Sequence, residues 1–398
     1  MTKPAVLIET SEELEKCVQD LSGAEQIAID LEFDKNFHRY GFNLCLVQLF
    51  DGKACYLIDP LSRSLSISTL FPLLENRDVK KVCFSFDEDL RLLHSIGCFP
   101  KNLCDLDIVS RMLNYPAMSL TNLLDEALSI EAVSSSQKSN WFKRPLTDKQ
   151  LAYAADDVLH LLKLKHFFDE KIPDDTISGW IREENEYLNS LNYSDINHNE
   201  VVKEREMNNF TELEWYIYKK LLYWRDGVAE KYNKPPFQMV ENKLLKDLAK
   251  NPSGRIHWMS RRGIYKKLKT KEVSDQVIKL LADAQGEATK LGLSNKKPAK
   301  KQLNTKEYRE MMAEKRKVNH LKSTFFKPVK DRVEEEYGQE FANYILSNRI
   351  ISDIITGSNG QIKSYKIDLI VQIADDLNLD KEPLQECICF KGNGFGRS

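Results

Sequence analysis

The sequence has no long hydrophobic run, no paired-cysteine motif and no excess of positive charge. No stretch reaches the roughly 20 apolar residues that a membrane-spanning helix needs, and the acidic start MTKPAVLIETSEELEK is unlike a secretory signal. The 58 Lys and Arg against 60 Asp and Glu give a formal net charge of −2, which excludes a uniformly basic coat but not one basic face. We therefore expect a cytoplasmic protein without a membrane partner.

The eight cysteines are scattered, without a CxxC pair or the spacing of a zinc site. Cys387 and Cys389 lie two residues apart, but no second pair accompanies them. We expect reduced thiols that serve as small core residues. This excludes a disulfide framework.

The chain changes its pattern along its length. Residues 1–170 are predicted to be α/β, and the stretches EQIAIDLEF, NLCLVQLFD and KACYLIDP are predicted to form an antiparallel meander with a turn at Asp51–Lys53. A polar connecting region, 171–210, follows. The predicted remainder is a helical domain at 211–290, a basic linker at 291–322, a second helical segment at 323–386 and a flexible tail at 387–398.

Acidic residues recur at positions where metal ligands are typical. Asp30 and Glu32 alternate with apolar residues in AIDLEF, so they share one face of a strand. Two acids on a buried strand are costly unless a cation compensates them, although a solvent-facing edge would also carry them. Asp89 follows two acids that favour a helix N-terminus, and Asp105 is expected to be an N-cap.

The stretch LAYAADDVLHLLKL is predicted to be an amphipathic helix. Tyr153 and Asp157 lie four residues apart and therefore on one face, while Asp156 is expected on the exposed face. Each acidic fragment alone is compatible with ordinary surface. Together, four acids from one strand and two helices suit two hard divalent cations, Mg²⁺ or Mn²⁺.

In this order, IDLEF, DEDL and YAADD resemble the DEDD exonucleases of the tyrosine subtype. The blocks SNWFKRPLTDKQLAYAADDV and VQLFDGKACYLIDPL are similar to the ribonuclease D family. This resemblance covers residues 20–170 and implies a ribonuclease H-like exonuclease fold, a mixed sheet flanked by helices. Residues 211–290 resemble an HRDC domain, and 323–386 resemble a weaker second copy.

The resemblance also implies a role for each acid. Asp30 would bridge two metal ions, Glu32 and Asp157 would hold the ion that activates water, and Asp89 would hold the second ion. Tyr153 would orient the attacking water.

Two positions depart from the family pattern. Phe84 stands where the family often has His, and Leu31 where it often has Thr. These departures put contacts with the last nucleotide in doubt, but not the metal site.

A basic loop, SSSQKSNWFKRPL, precedes the Tyr153 helix and is a candidate RNA contact. Lys138, Lys143 and Arg144 are placed to meet phosphates, and Trp141 either stacks on a base or packs the loop onto the core. His38 and Tyr40 are predicted to line the pocket for the nucleic-acid end.

The resemblance implies a metal-dependent 3′→5′ exoribonuclease that trims RNA 3′ ends, including tRNA precursors. A 3′→5′ DNA exonuclease and a noncatalytic nucleic-acid-binding adaptor are the alternatives. RNA is the expected partner, and a monomer is the expected state.

Overall fold

The computed structural model describes residues 5–131, 138–194, 200–254, 257–296, 305–357 and 362–382. Its N-terminal part is built on a six-stranded sheet. The strands are β1 Val6–Ile8, β2 Gln26–Lys35, β3 Phe42–Phe50, β4 Cys55–Ile58, β5 Lys80–Cys83 and β6 Leu103–Asp105. Their spatial order is β1-β4-β3-β2-β5-β6. The antiparallel pairs β2–β3 and β3–β4 confirm the predicted meander, and the remaining pairs are parallel.

Helices cover both faces of this mixed sheet. Ile29 and Leu31 of β2 belong to one hydrophobic cluster, and Ala28 belongs to another on the opposite face. The solvent-facing edge considered for the acidic strand is therefore wrong, because β2 is central and buried on both sides. The helices of this part are α1 Ser11–Leu21, α2 Phe71–Glu75, α3 Asp87–Ser95, α4 Leu106–Met112, α5 Leu120–Leu128, α6 Asp148–Leu159, α7 Leu161–Asp169 and α8 Asp175–Ser190.

The remainder of the described chain is helical, which confirms the predicted fold class. The helices are α9 Glu212–Tyr232, α10 Pro236–Met239, α11 Asn242–Lys250, α12 Lys271–Lys290, α13 Thr305–Leu321, α14 Lys327–Tyr337, α15 Gln339–Ile345, α16 Asn348–Thr356 and α17 Ser364–Asp376. Helices α9 to α12 enclose their own hydrophobic cluster. In contrast, α14 to α17 share one cluster with α6, α7 and the sheet.

Some elements were not predicted from the pattern. Strands β1 and β6 span three residues each, too few to show an alternation. Most of the predicted basic linker that the structure describes is helix α13. The predicted tail and its two cysteines lie outside the described residues. Within the described chain, no helix is both long and apolar enough to cross a membrane.

Candidate active site

The site begins with two acids in the middle of β2. Asp30 and Glu32 point to the sheet face that α6 covers, since alternate residues of a strand share a face. Asp30 is half-buried and Glu32 is buried. The register between β2 and β3 shifts directly after Glu32. Such a bulge changes the local direction of a strand, as is common beside active sites.

Helix α6 brings a third acid and a phenol to the same place. A capping box between Thr147 and Gln150 fixes its first turn, so the helix starts where the sequence pattern indicates. Asp157 then approaches β2. Asp30, Glu32 and Asp157 each offer an oxygen, and these oxygens all lie within 4.8 Å of one another. Tyr153, one turn earlier, forms a hydrogen bond with Asp157.

Asp89 reaches the same region from the first turn of α3. Its side chain is buried, and its Oδ1 atom has no hydrogen-bond partner among the described residues. Its charge raises the pKa of Asp30, but Asp89 is not one of the three acids whose oxygens lie within 4.8 Å of one another. The two preceding acids serve surface contacts instead: Asp87 pairs with Arg91, and Glu88 pairs with Lys35.

Burial raises the pKa of all four carboxyl groups. Burial, with the charge of Asp89, raises the pKa of Asp30 well above its ordinary value. Burial and the neighbouring acids raise the pKa of Glu32 to about 10, and burial raises those of Asp89 and Asp157 to about 8. Within the described chain, no lysine or arginine forms an ion pair with any of the four. A bound cation would favour their charged forms.

The donor set fits a hard divalent cation. Mg²⁺ and Mn²⁺ take oxygen ligands, and each ligand in this cluster is a carboxylate oxygen. The unpartnered Oδ1 of Asp89 adds a further oxygen that no protein donor occupies in the described chain. The residues present therefore fit the metal ions that the sequence predicts.

Comparison with known proteins agrees with this geometry. A model of a 3′-5′ exonuclease family matches residues 5–173. Ribonuclease D of Desulfotalea psychrophila is 30% identical over 248 residues, 61% of this chain and 66% of the relative. Ribonuclease D of Zymomonas mobilis is 32% identical over 253 residues, 63% of this chain and 64% of the relative.

The chain belongs to the ribonuclease D family. The matched region spans less than two thirds of the length of these two curated relatives. The crystal structure of Escherichia coli RNase D has the same fold, with a TM-score of 0.65 at 20% identity over 94% of this chain and 99% of that chain. The ribonuclease D fold therefore extends from the exonuclease domain into the helical C-terminal part.

The basic loop before α6 packs more tightly than its sequence indicates. Trp141 is only 2% exposed and lies beside Tyr153, with ring centroids 6.2 Å apart. Arg144 forms a bidentate ion pair with the buried Asp59, with 2.7 Å between Nη2 and Oδ1, and it also donates to the Cys45 carbonyl. Trp141 therefore packs the loop onto the core, which is one of its two predicted roles, and Asp59 holds the guanidinium of Arg144. Contact of either side chain with RNA stays a prediction.

Of the other residues predicted to contact RNA, some are exposed and others have buried polar atoms or protein partners. Lys138 and Lys143 are exposed. Tyr40 donates to Asp226 of α9 at 2.8 Å, so its hydroxyl joins the exonuclease domain to the helical part. The Nε2 atom of His38 is buried and has no partner among the described residues.

Sequence reasoning missed one residue beside the site. Gln48 of β3 is opposite Asp30 in the sheet and is completely buried. The available signal was a single amide within the otherwise apolar stretch LCLVQLF.

Proposed function

We propose that this chain is a metal-dependent 3′→5′ exoribonuclease. One observation carries the proposal: carboxylate oxygens of Asp30, Glu32 and Asp157 converge within 4.8 Å, without a protein cation in the described chain to pair with them. RNA as the substrate is supported by the ribonuclease D relatives. Trimming of tRNA precursors belongs to the same proposal.

The four acids would hold two divalent ions, Mg²⁺ or Mn²⁺. When bound, such ions lower the pKa of the attacking water and stabilise the charge that develops on the phosphate. Asp30 has an oxygen within 4.8 Å of oxygens of both Glu32 and Asp157, and the charge of Asp89 raises its pKa. This position suits a carboxylate shared by both ions.

Tyr153 would position the water rather than deprotonate it. Burial and the charge of Asp157 raise the pKa of its phenol well above the ordinary value, so the hydroxyl stays protonated at neutral pH. A neutral hydroxyl can donate to Asp157 and still accept a hydrogen bond from water. Buried Trp141 packs beside the Tyr153 ring and restricts its orientation.

The proposed RNA surface consists of Lys138, Lys143 and a basic segment, residues 257–269. Arg262, Lys266 and Lys267 of this segment are exposed. The loop after β2 contacts the helical part, since Gln238 of α10 donates to the Phe37 carbonyl at 3.3 Å. Exposed cations of this kind bind phosphates through counterion release. Residues 211–290, the predicted HRDC-like domain, would thus extend the binding surface beyond the active site.

A nuclease assay on matched substrates tests the proposal. Single-stranded RNA labelled at its 5′ end should lose nucleotides one at a time from its 3′ end with Mn²⁺ or Mg²⁺, and a chelator should stop the reaction. Faster release from DNA of the same sequence would favour the DNA exonuclease. Binding of RNA without release in the presence of either metal would favour the adaptor.

A further inference from the structure

The loop that leads into α3 is held by an acid from another strand. Asp105 ends β6 and pairs with Cys83, the last residue of the parallel strand β5. The chain leaves β5 at this point, and residues 84–86 lead into α3. Asp105 is 4% exposed; its Oδ1 accepts from Ser85 N at 2.8 Å, and its Oδ2 accepts from Phe86 N at 2.9 Å. The buried carboxylate therefore holds two consecutive N–H groups of this loop.

The expected helix cap explains only one of the bonds to Asp105. Its Oδ1 also accepts from Asp107 N at 2.9 Å, which confirms Asp105 as the N-cap of α4. The two bonds to the loop are not part of that cap. The backbone N–H of Asp105 donates in turn to the side chain of Asn185 in α8 at 2.8 Å, which fixes the residue from the other side. Asp105 thus joins the edge strand β6 to the start of a different helix.

Helix α3 has no side-chain cap of its own. Its N-cap residue is Phe86, whose side chain supplies no cap hydrogen bond. The preceding residue, Ser85, has a left-handed backbone with φ of 55°. Such a conformation is costly outside glycine and persists where the surrounding structure holds it. Asp105 gives both residues a buried partner, whereas α6 fixes its own first turn with a capping box.

The position of Asp89 depends on this start. Asp89 lies in the first turn of α3, and its Oδ1 has no hydrogen-bond partner among the described residues. Its placement therefore follows the backbone that carries it. Leu90 N donates to the Phe86 carbonyl at 2.9 Å, which ties the turn containing Asp89 to the residue that Asp105 holds. Metal and catalytic sites need their ligands within about 0.5 Å of the productive geometry, so a small shift of this loop would matter.

We propose that Asp105 is a positioning residue for Asp89. Its carboxylate fixes the loop before α3, and this loop sets where the first turn of α3 presents Asp89 to the divalent ions. This inference rests on the proposed metal-dependent function, which gives Asp89 its ligand role. Removal of a group that orients a metal ligand typically lowers metal affinity by about 10–100-fold.

The test is Asp105→Ser, because serine can still cap α4 but its single, shorter oxygen cannot replace both carboxylate oxygens. The matched control is Asp174→Ser. Asp174 caps α8 by accepting from Ile177 N at 2.9 Å, and α8 carries none of the four acids. Mn²⁺ binding to the full-length protein without RNA is measured by calorimetry, well below the melting temperature of each variant. Rates on single-stranded RNA are measured over a range of Mn²⁺ concentrations, and thermal unfolding is measured in a chelator.

Asp105→Ser should weaken Mn²⁺ binding at one of two sites by about tenfold or more. The Mn²⁺ concentration that gives half of the maximal rate should rise by a similar factor, with little change in KM for RNA. A residue that only supports the fold would lower the melting temperature in chelator and leave the Mn²⁺ dependence of the folded protein unchanged. If Asp105→Ser folds poorly, Asp105→Asn should show the same shift, because it keeps the size of the side chain but turns an amide NH₂ toward a backbone N–H.

The outcomes separate this inference from the proposed function. Unchanged Mn²⁺ affinity in a folded Asp105→Ser or Asp105→Asn protein that still releases nucleotides would overturn the role of Asp105 alone. An equal loss of affinity in Asp174→Ser would also overturn it. Absence of Mn²⁺ binding in the unaltered protein would overturn both.

Discussion

Two sets of carboxylates in the interior of the protein differ in whether lysine side chains pair with them. Glu184 of α8 is 3% exposed, and its two oxygens receive two ammonium groups and two phenols. Lys366 lies 3.1 Å away, Tyr344 donates at 3.1 Å, and Lys363 and Tyr365 complete the set. The active-site acids are buried or half-buried, but no described lysine or arginine pairs with them.

The pKa values follow this difference. Burial alone would raise the pKa of Glu184, but Lys366, Lys363 and the hydrogen bond from Tyr365 outweigh it and lower the pKa. At Lys366 burial outweighs the attraction of Glu184, so its pKa is also lowered. The contacts show that both oxygens of the Glu184 carboxylate are partnered. In contrast, burial raises the pKa of every active-site acid, and the charges of neighbouring acids add to it.

The comparison distinguishes a structural carboxylate from the carboxylates that we propose to bind a metal. Glu184 joins α8 to α15 and α17, and Trp180 of the same helix stacks on Tyr365 with ring centroids 5.4 Å apart. Its cations come from the chain itself. The active-site acids have no lysine or arginine partner in the described chain, so a cation that compensates them would have to come from solution.

Asp30→Asn should give the largest effect on activity. The change removes a carboxylate of the cluster that Asp30 forms with Glu32 and Asp157, so nucleotide release should fall by at least about 10³-fold, equivalent to about 4 kcal/mol of transition-state stabilisation. Stability in chelator should not fall, because the change removes an uncompensated buried acid. Initial rates on RNA and urea unfolding in chelator test both parts.

Asp156→Asn is the matched control, since Asp156 precedes Asp157 in α6 and pairs with His160 at 3.4 Å. It should retain most of the activity. Near-normal cleavage by Asp30→Asn would contradict the metal assignment.

Glu184→Gln should give the opposite result. It would leave the buried Lys366 and the half-buried Lys363 without their counter-charge and should cost roughly 3–5 kcal/mol of unfolding free energy. Metal binding should remain at the intact acid cluster. Urea unfolding measures the cost, and Glu186→Gln on the exposed face of α8 should stay within about 0.5 kcal/mol of the parent. Equal stabilities of Glu184→Gln and Glu186→Gln would refute the structural role.

The active-site acids should make the unfolding free energy in chelator depend on pH. Their pKa values are raised in the folded state, to about 8 for Asp89 and Asp157, against ordinary values of about 4 in the unfolded chain. The folded state therefore binds more protons, and unfolding free energy should fall as pH rises from about 5 to about 8. Mn²⁺ should remove most of this decline. A rise over the same range in chelator would contradict the electrostatic description.

Lys143→Ala should give the smallest effect. Lys143 is exposed before α6, so its loss should weaken RNA binding severalfold and lower the salt-dependence slope by about 1. Lys16→Ala on α1, which packs on the opposite face of the sheet, is the control. Fluorescence anisotropy at several salt concentrations measures both. Identical slopes for the two variants would remove Lys143 from the RNA surface.

Local periodicity predicted much of the candidate site. The alternation in AIDLEF placed Asp30 and Glu32 on one face, and the four-residue spacing placed Tyr153 beside Asp157. Those relations depend only on strand and helix geometry. They were predictable because each lies within one secondary-structure element.

Contacts between distant segments were not predictable in this way. Glu184 lies in a stretch that was predicted to be a polar connection, and its lysines are about 180 residues away. The ion pair of Arg144 with Asp59 spans 85 positions, so the basic loop was predicted to be surface. Charge identity in a sequence does not reveal whether a partner lies nearby, and that partner decides whether an acid is structural or binds a metal.

The most direct test of the central claim is the number of Mn²⁺ ions bound by the full-length protein. Calorimetry or electron paramagnetic resonance should find two ions per chain in the parent and in Glu184→Gln, and a loss of tight binding in Asp30→Asn. Absence of saturable Mn²⁺ binding in the parent, or undiminished binding in Asp30→Asn, would contradict the assignment of the unpartnered carboxylates as a metal site.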